Sequence, residues 1–136
     1  MKIHDSSWVI IDTSAFIEAN HKPHSFIAKQ VTGLIEAGLA AVTPLIFWEM
    51  GRGKLSTKDR LELQAYLNSL ERLHWEIQWD DLEDLDRQIL KNGFSVPFTD
   101  LWIARTAIEH QAFLLHQDKH YTAIAKSSAL KIWNPS

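Results

Sequence analysis

Residues 8–14, Trp-Val-Ile-Ile-Asp-Thr-Ser, form the most informative segment of the sequence. Residues 8–11 are a short run of apolar, mostly β-branched residues, which is typical of a strand buried on both faces. The run ends at Asp12, and residues 13–14 then begin a short helix. A buried strand that leads directly into a helix is the opening of a βαβ unit.

The rest of the chain repeats this alternation. Further strands are predicted over residues 39–43, 75–79, 112–115 and 130–133. Helices are predicted after Pro23, over 44–50, after the capping patterns at 56–59 and 80–83, from Thr99-Asp100, and over 119–126. Strands that alternate with helices predict a parallel sheet covered on both faces. In such a sheet, right-handed crossovers place ligand chemistry at the carboxyl ends of the strands.

The composition is that of one folded domain, which we expect to span residues 1–136. Hydrophobic residues make up 46% of the chain, which argues against intrinsic disorder. No apolar run approaches the ~20 residues that span a bilayer, and the N-terminus lacks the pattern of a signal peptide. We therefore expect a cytoplasmic protein without membrane association. The absence of cysteine excludes disulfides, thiolate zinc sites, iron–sulfur clusters and a cysteine nucleophile.

The formal net charge of -3 is not the basic balance of a protein that binds nucleic acid through its overall charge. It does not exclude a nuclease, because acidic residues gathered at a metal site lower the sum. If four carboxylates were such ligands, the remainder of the chain would carry +1.

Four acidic residues stand at informative positions. Asp12 directly follows the first predicted strand, and Asp118 follows the strand predicted over residues 112–115. Asp100 opens the helix that leads into that later strand. Glu49 is flanked by large apolar residues. Carboxylates that converge at one sheet edge repel one another, which raises their pKa values. A hard divalent cation relieves that repulsion, and ligation by oxygen alone suits Mg²⁺ or Mn²⁺.

Each acid also has a simpler interpretation. Asp12, Asp100 and Asp118 all precede predicted helices, where a carboxylate accepts hydrogen bonds from free backbone N–H groups. Glu49 could pair with Arg52 at i,i+3, which contributes only ~0.2–0.5 kcal/mol. The apolar neighbours of Glu49 favour burial instead, and a buried acid needs a partner.

Four segments in this order resemble the PIN-domain nucleases, in particular the toxins of VapBC-type toxin–antitoxin systems. They are Val-Ile-Ile-Asp-Thr-Ser-Ala-Phe-Ile (9–17), Thr-Pro-Leu-Ile-Phe-Trp-Glu (43–49), Thr-Asp-Leu-Trp-Ile-Ala-Arg-Thr-Ala (99–107) and Leu-Leu-His-Gln-Asp-Lys-His-Tyr-Thr-Ala-Ile-Ala (114–125). Each motif alone is loose, but four in order are fairly specific. The resemblance covers nearly the whole chain.

The resemblance implies a single-domain α/β/α sandwich with a short central parallel sheet flanked by helices. It also implies a Mg²⁺- or Mn²⁺-dependent ribonuclease that cuts structured RNA such as tRNA or ribosomal RNA. Such toxins are commonly homodimers, and a co-encoded antitoxin, often a small DNA-binding protein, inhibits them. Two further interpretations stay open: a PIN nuclease of RNA processing with no antitoxin, and a non-catalytic PIN-like module that binds RNA or protein. The presence of all four acids argues against the module.

By position, the resemblance makes Asp12, Glu49, Asp100 and Asp118 the catalytic acids. Asp12 and Asp100 would be the principal metal ligands. Asp118 would hold a second metal ion or its waters, and Glu49 would position water or accept a proton. The hydroxyl of Thr13 or Ser14 would orient Asp12 or a metal-bound water.

Two further residues are candidates for supporting roles. His116 stands where many family members have Thr or Ser. Its imidazole could hydrogen-bond a carboxylate or phosphate, change the affinity or number of metal ions, or have no role. Arg105 lies about one and a half helical turns beyond Asp100. It could offset the repulsion between the acids and RNA, or belong to an ordinary solvated face.

The alternation of His116, Asp118 and His120 could indicate zinc. Without cysteine or a His-Glu-x-x-His helix, we do not favour that interpretation. Residues 51–54, Gly-Arg-Gly-Lys, are not a phosphate-binding P-loop, because the required first glycine is replaced by Trp48.

Overall fold

The computed structural model describes residues 8–52 and 56–133. Five strands form one parallel sheet in the order β3-β2-β1-β4-β5. The strands are β1 (Val9–Ile11), β2 (Ala40–Val42), β3 (Glu71–Arg72), β4 (Phe113–Leu115) and β5 (Lys131–Ile132). The helices are α1 (Thr13–His21), α2 (Phe26–Glu36), α3 (Pro44–Gly51), α4 (Thr57–Asn68), α5 (Trp79–Lys91), α6 (Phe98–Glu109) and α7 (Lys119–Ser127).

The strand predicted from residues 8–11 is the centre of the sheet. All three residues of β1 are fully buried, with β2 on one side and β4 on the other. A central parallel strand is covered on both faces, so every position in it is apolar rather than every second one. Asp12 N–H donates to the Leu115 carbonyl at 3.0 Å, which carries the pairing of β1 with β4 to the point where both strands end.

The helices form two layers on opposite faces of the sheet. Right-handed crossovers from β1 through β2 to β3 place α1 to α4 on one face. The chain then returns past β1 to β4 and β5, which places α5 to α7 on the other. Contacts follow the same division, because α1 packs on α2 and α3, and α3 on α4, while α5, α6 and α7 pack on one another. The predicted α/β/α sandwich with a parallel sheet is confirmed.

The prediction of a strand over residues 75–79 is wrong. The edge strand β3 comes earlier, at Glu71–Arg72, and the Leu73 N–H donates to the Val42 carbonyl at 2.8 Å. Trp75 and Ile77 pack against the core from an irregular segment. Their alternation with polar residues therefore comes from a chain that crosses the edge of the sheet, not from strand pairing.

Helix starts agree with the sequence in some places and differ in others. Ser56 caps α4 as predicted, accepting a hydrogen bond from the Asp59 N–H at 3.1 Å. The capping pattern predicted to begin at Asp80 is wrong, because α5 begins one residue earlier and Asp80 lies in its first turn. A carboxylate in that turn still favours the helix through the dipole. Within the described ranges, no helix is long and apolar enough to cross a membrane.

Candidate active site

The four acids reach one edge of the sheet from four different elements. Asp12 directly follows β1 and caps α1, and Asp118 follows β4 and caps α7. Asp100 lies in the first turn of α6, and Glu49 lies in the second half of α3. The carboxyl ends of β1 and β4 are neighbours in the sheet, so the sheet itself brings Asp12 and Asp118 to the same place.

Asp12 is buried, and both of its carboxylate oxygens are hydrogen-bonded. Oδ2 accepts from the Ser14 N–H at 3.0 Å and from Ser14 Oγ at 2.6 Å. Oδ1 accepts from the Tyr121 hydroxyl at 2.9 Å. The capping interpretation of Asp12 is therefore correct, and it does not compete with a site, because only one oxygen serves the cap. The other oxygen faces the remaining acids.

Two successive side chains of α7 link the carboxylates in pairs. The Tyr121 hydroxyl lies 2.9 Å from Asp12 Oδ1 and 3.4 Å from Asp100 Oδ1. His120 Nδ1 lies 2.8 Å from Asp100 Oδ2 and 3.2 Å from Asp118 Oδ1. Asp100 is thus the middle of a chain of contacts from Asp12 to Asp118. It does not cap α6, whose N-cap is Pro97 without a side-chain hydrogen bond.

Glu49 joins this group through a hydroxyl rather than an ion pair. Thr13 Oγ1 donates to Glu49 Oε1 at 2.9 Å. The alternative pairing with Arg52 is not observed, because the Arg52 guanidinium lies over the Trp48 ring, 4.6 Å from its centroid. Burial raises the pKa of Glu49, and the charges of Asp12 and Asp100 raise it further against the hydrogen bond from Thr13.

The pKa of Asp100 reflects its burial first and the neighbouring groups second. Burial raises the pKa of Asp100, the hydrogen bond from His120 lowers it, and the charges of Asp118 and Asp12 raise it again. The pKa of Asp100 is raised overall, so the hydrogen bond from His120 does not fully offset the cost of burying the ionised carboxylate. A cation among these carboxylates would remove the penalty, and the donors present fit a divalent metal ion.

One group of side chains within the described residues has the geometry of a metal site. Ligand atoms of Asp100, Asp118 and His120 all lie within 4.8 Å of one another. We predicted a ligand set of Asp12, Asp100 and Asp118. In the structure, the Tyr121 hydroxyl contacts the carboxylates of both Asp12 and Asp100. The group that has the geometry of a metal site contains Asp100 and Asp118 together with the His120 imidazole, which was not predicted as a ligand.

The predicted supporting residues have different positions. Ser14 Oγ also accepts from the Gln117 N–H at 2.9 Å, so Ser14 connects the start of α1 with the loop after β4. His116 Nδ1 accepts from the Asp118 N–H at 3.0 Å, and burial lowers the pKa of the His116 imidazole. Arg105 does not lie with the acids.

The Arg105 side chain is held by other contacts. Its Nη2 pairs with Glu109 and lies 4.0 Å from Asp81, and its guanidinium lies 5.9 Å from the centroid of the Trp75 ring. The Arg105 guanidinium thus connects α5 with α6, in the helical layer formed by α5, α6 and α7.

Sequence reasoning missed Tyr121 and treated His120 only as part of a zinc pattern. That pattern is not the one observed, because His120 meets Asp100 and Asp118 whereas His116 binds a backbone N–H. The available signal was position: both missed residues lie in the first turn of the helix that Asp118 caps. Side chains in that turn lie beside the end of the strand before it.

The fold and this acidic edge define a class of protein. The model of the PIN domain family matches residues 9–127. The chain therefore belongs to the PIN domain family.

Individual relatives can be named more closely. The chain is 29% identical over 128 residues to the VapC ribonuclease Mb1587 of Mycobacterium bovis, a match that covers 90% of this chain and 96% of the relative. Ribonuclease VapC11 of Mycobacterium tuberculosis matches with the same identity and coverage.

Solved structures with the same fold include VapBC2 of Rickettsia felis bound to a DNA fragment from its promoter. It has a TM-score of 0.73 at 16% identity, covering 94% of this chain and 98% of that one. VapBC-5 of Mycobacterium tuberculosis has a TM-score of 0.63 at 23% identity, covering 93% and 97%. At these identities the likeness concerns the fold alone.

Proposed function

We propose that the chain is a divalent-metal-dependent endoribonuclease and the toxin of a VapBC-type toxin–antitoxin pair. Its substrate would be structured RNA such as tRNA or ribosomal RNA, and its cofactor Mg²⁺ or Mn²⁺. The observation that carries the proposal is the convergence of Asp12, Glu49, Asp100 and Asp118, from four elements, at the carboxyl end of the sheet. A domain with no use for a cation gains nothing from burying mutually repelling acids.

The residues of the chain would share the work as follows. Asp12 and Asp100 would hold the principal metal ion, in orientations kept by Ser14 and Tyr121. Asp118 would hold a second ion or its waters. Glu49, held by Thr13, would orient the attacking water or accept its proton.

A divalent cation bound here would supply what phosphodiester hydrolysis requires: activation of water and neutralisation of charge on the phosphate oxygens. The site can be reached from solvent, because Glu49 and Asp118 are only partly buried. His116 Nδ1 accepts from the Asp118 N–H, so the Nε2 atom is the one that would be available to a phosphate.

The proposed partners come from the relatives. The curated relatives are named VapC ribonucleases, and several proteins of the same fold are named as VapBC complexes. We propose that a co-encoded antitoxin inhibits this chain, that the active form is a homodimer, and that it acts in the cytoplasm. A gene for a small DNA-binding protein immediately upstream would support the toxin over a nuclease of RNA processing.

The test is to map RNA ends by sequencing after brief expression in bacteria, comparing the wild type with Asp12→Asn and Asp100→Asn. We expect new RNA ends and growth arrest with the wild type and neither with the two variants. Both variants should remain folded, as checked by circular dichroism. A folded Asp100→Asn protein that cuts RNA at the wild-type rate would refute the site, and harmless expression of an active nuclease would refute the toxin assignment.

A further inference from the structure

The first turn of α7 adds a nitrogen atom to a group of oxygen ligands. His120 Nδ1 lies 2.8 Å from Asp100 Oδ2 and 3.2 Å from Asp118 Oδ1. Adjacent ligands of an octahedral ion with bonds of about 2.1 Å lie about 3.0 Å apart. The two nitrogen–oxygen distances lie on either side of this spacing. His120 Nδ1 therefore occupies the position of a ligand adjacent to both carboxylates.

A backbone hydrogen bond holds the Asp118 carboxylate beside this imidazole. Asp118 Oδ1 accepts from the His120 N–H at 2.9 Å, and the same oxygen faces the ring nitrogen of that residue. A single hydrogen on Nδ1 points towards one carboxylate at a time, whereas a cation would contact both. The His120 side chain is 36% exposed, so an ion can approach it from solvent.

His116 has a different relation to the same acids. Its Nδ1 accepts from the Asp118 backbone N–H at 3.0 Å, and its ring packs on Tyr121 with centroids 5.2 Å apart. The Nδ1 atom of His116, which corresponds to the proposed ligand atom of His120, is thus already bonded to the Asp118 backbone N–H. His116 provides a matched control for His120, because it has the same side chain two residues before Asp118 instead of two after it.

We propose that His120 is a metal ligand through Nδ1, which makes this centre a mixed oxygen–nitrogen site that binds Mn²⁺ more tightly than Mg²⁺. The proposal rests on the proposed function and replaces its purely oxygen-ligated metal site. Mg²⁺ prefers oxygen ligands and gives up water reluctantly, whereas imidazole suits first-row transition metal ions. Replacing one oxygen by nitrogen therefore favours Mn²⁺ over Mg²⁺.

The experiment measures metal binding to the RNA-free protein. Pulsed electron paramagnetic resonance detects ¹⁴N directly bound to Mn²⁺, and calorimetric titration gives the affinities for Mn²⁺ and Mg²⁺. We expect ¹⁴N modulation in the wild type and in His116→Asn, and its loss in His120→Asn. Asparagine keeps a short polar group that can hydrogen-bond Asp100. In His120→Asn the affinity for Mn²⁺ should fall about tenfold or more, and that for Mg²⁺ much less.

Several outcomes would overturn the inference. One is wild-type protein that binds Mn²⁺ without ¹⁴N modulation. Others are modulation that survives in His120→Asn or disappears in His116→Asn. A further one is an equal loss of affinity for Mn²⁺ and Mg²⁺ in His120→Asn. The wild-type spectrum is decisive even where a variant fails to fold. Metal-dependent RNA cleavage without ¹⁴N modulation would refute only the His120 ligand. Failure to bind either ion would refute the metal-dependent function as well.

Discussion

The Tyr121 hydroxyl is the buried donor on which the spacing of two carboxylates depends. The residue is only 1% exposed and its hydroxyl contacts both Asp12 and Asp100. Burial raises the pKa of the Tyr121 phenol well above its usual value, and the charges of Asp12 and Asp100 raise it further. The hydroxyl therefore stays protonated, and its single hydrogen is donated chiefly to Asp12, at 2.9 Å, with Asp100 the more distant acceptor at 3.4 Å.

Tyr121→Phe should destabilise the metal-free protein by about 1–3 kcal/mol, because a buried acceptor loses its donor. Added Mn²⁺ should recover part of this loss, since a cation separates the same charges. Melting temperatures measured with chelator and with Mn²⁺ test this. Tyr66→Phe is the control, because Tyr66 is exposed and its ring contact with Phe16 does not involve the hydroxyl. An equal loss with and without metal would contradict the prediction.

Asp100→Asn should raise the melting temperature of the metal-free protein by roughly 2–5 °C at pH 7. The pKa of Asp100 is raised in the folded state, chiefly by burial, so its ionisation opposes folding. That penalty is fully present above the raised pKa and is relieved as the pH falls through it towards the usual value. The advantage of the variant over the wild type should therefore shrink in acid. A constant difference across pH would show that another interaction causes it.

Ser14 connects two elements at the site, and its hydroxyl has two partners there. It donates to Asp12 at the start of α1 and accepts from the Gln117 N–H in the loop after β4. Ser14→Ala should cost about 1–2 kcal/mol of stability and at least tenfold in RNA cleavage, because Asp12 loses a fixed orientation. Ser56→Ala is the matched control. It removes a serine cap from the exposed start of α4 and should cost about 1 kcal/mol without changing cleavage.

Elements whose pattern reflects burial could be predicted from the sequence. The continuous apolar run of β1 predicts a strand buried on both faces, and β1 is the centre of the sheet. The segment 75–79 could not be assigned correctly. Its alternation is the same for an edge strand and for a chain crossing the sheet edge, and only long-range pairing distinguishes them.

The acids of the candidate site and the hydroxyls at the start of α1 could be predicted from the sequence, but the donors on α7 could not. Acidic residues at strand ends and helix starts converge in a parallel sheet, so sequence order was sufficient to place Asp12, Asp100 and Asp118 at the same edge, while their roles there stay a proposal. The directions of the His120 and Tyr121 side chains depend on how α7 packs beside α6. Arg105 illustrates the same limit, since its partners Asp81 and Trp75 come from α5 and the segment before it.

At the scale of the whole molecule, metal binding and folding should be coupled. The proposed ligand groups come from positions as distant as Asp12 and Asp118, so an unfolded chain cannot present them together. An ion that binds only the folded state stabilises it by about 1.4 kcal/mol at ten times its Kd and about 2.7 kcal/mol at a hundred times. For a chain of this size, Mn²⁺ should raise the melting temperature by roughly 5–10 °C over that range. The double variant Asp12→Asn/Asp100→Asn should show almost no rise, and an equal rise in both proteins would mean that the ion binds elsewhere.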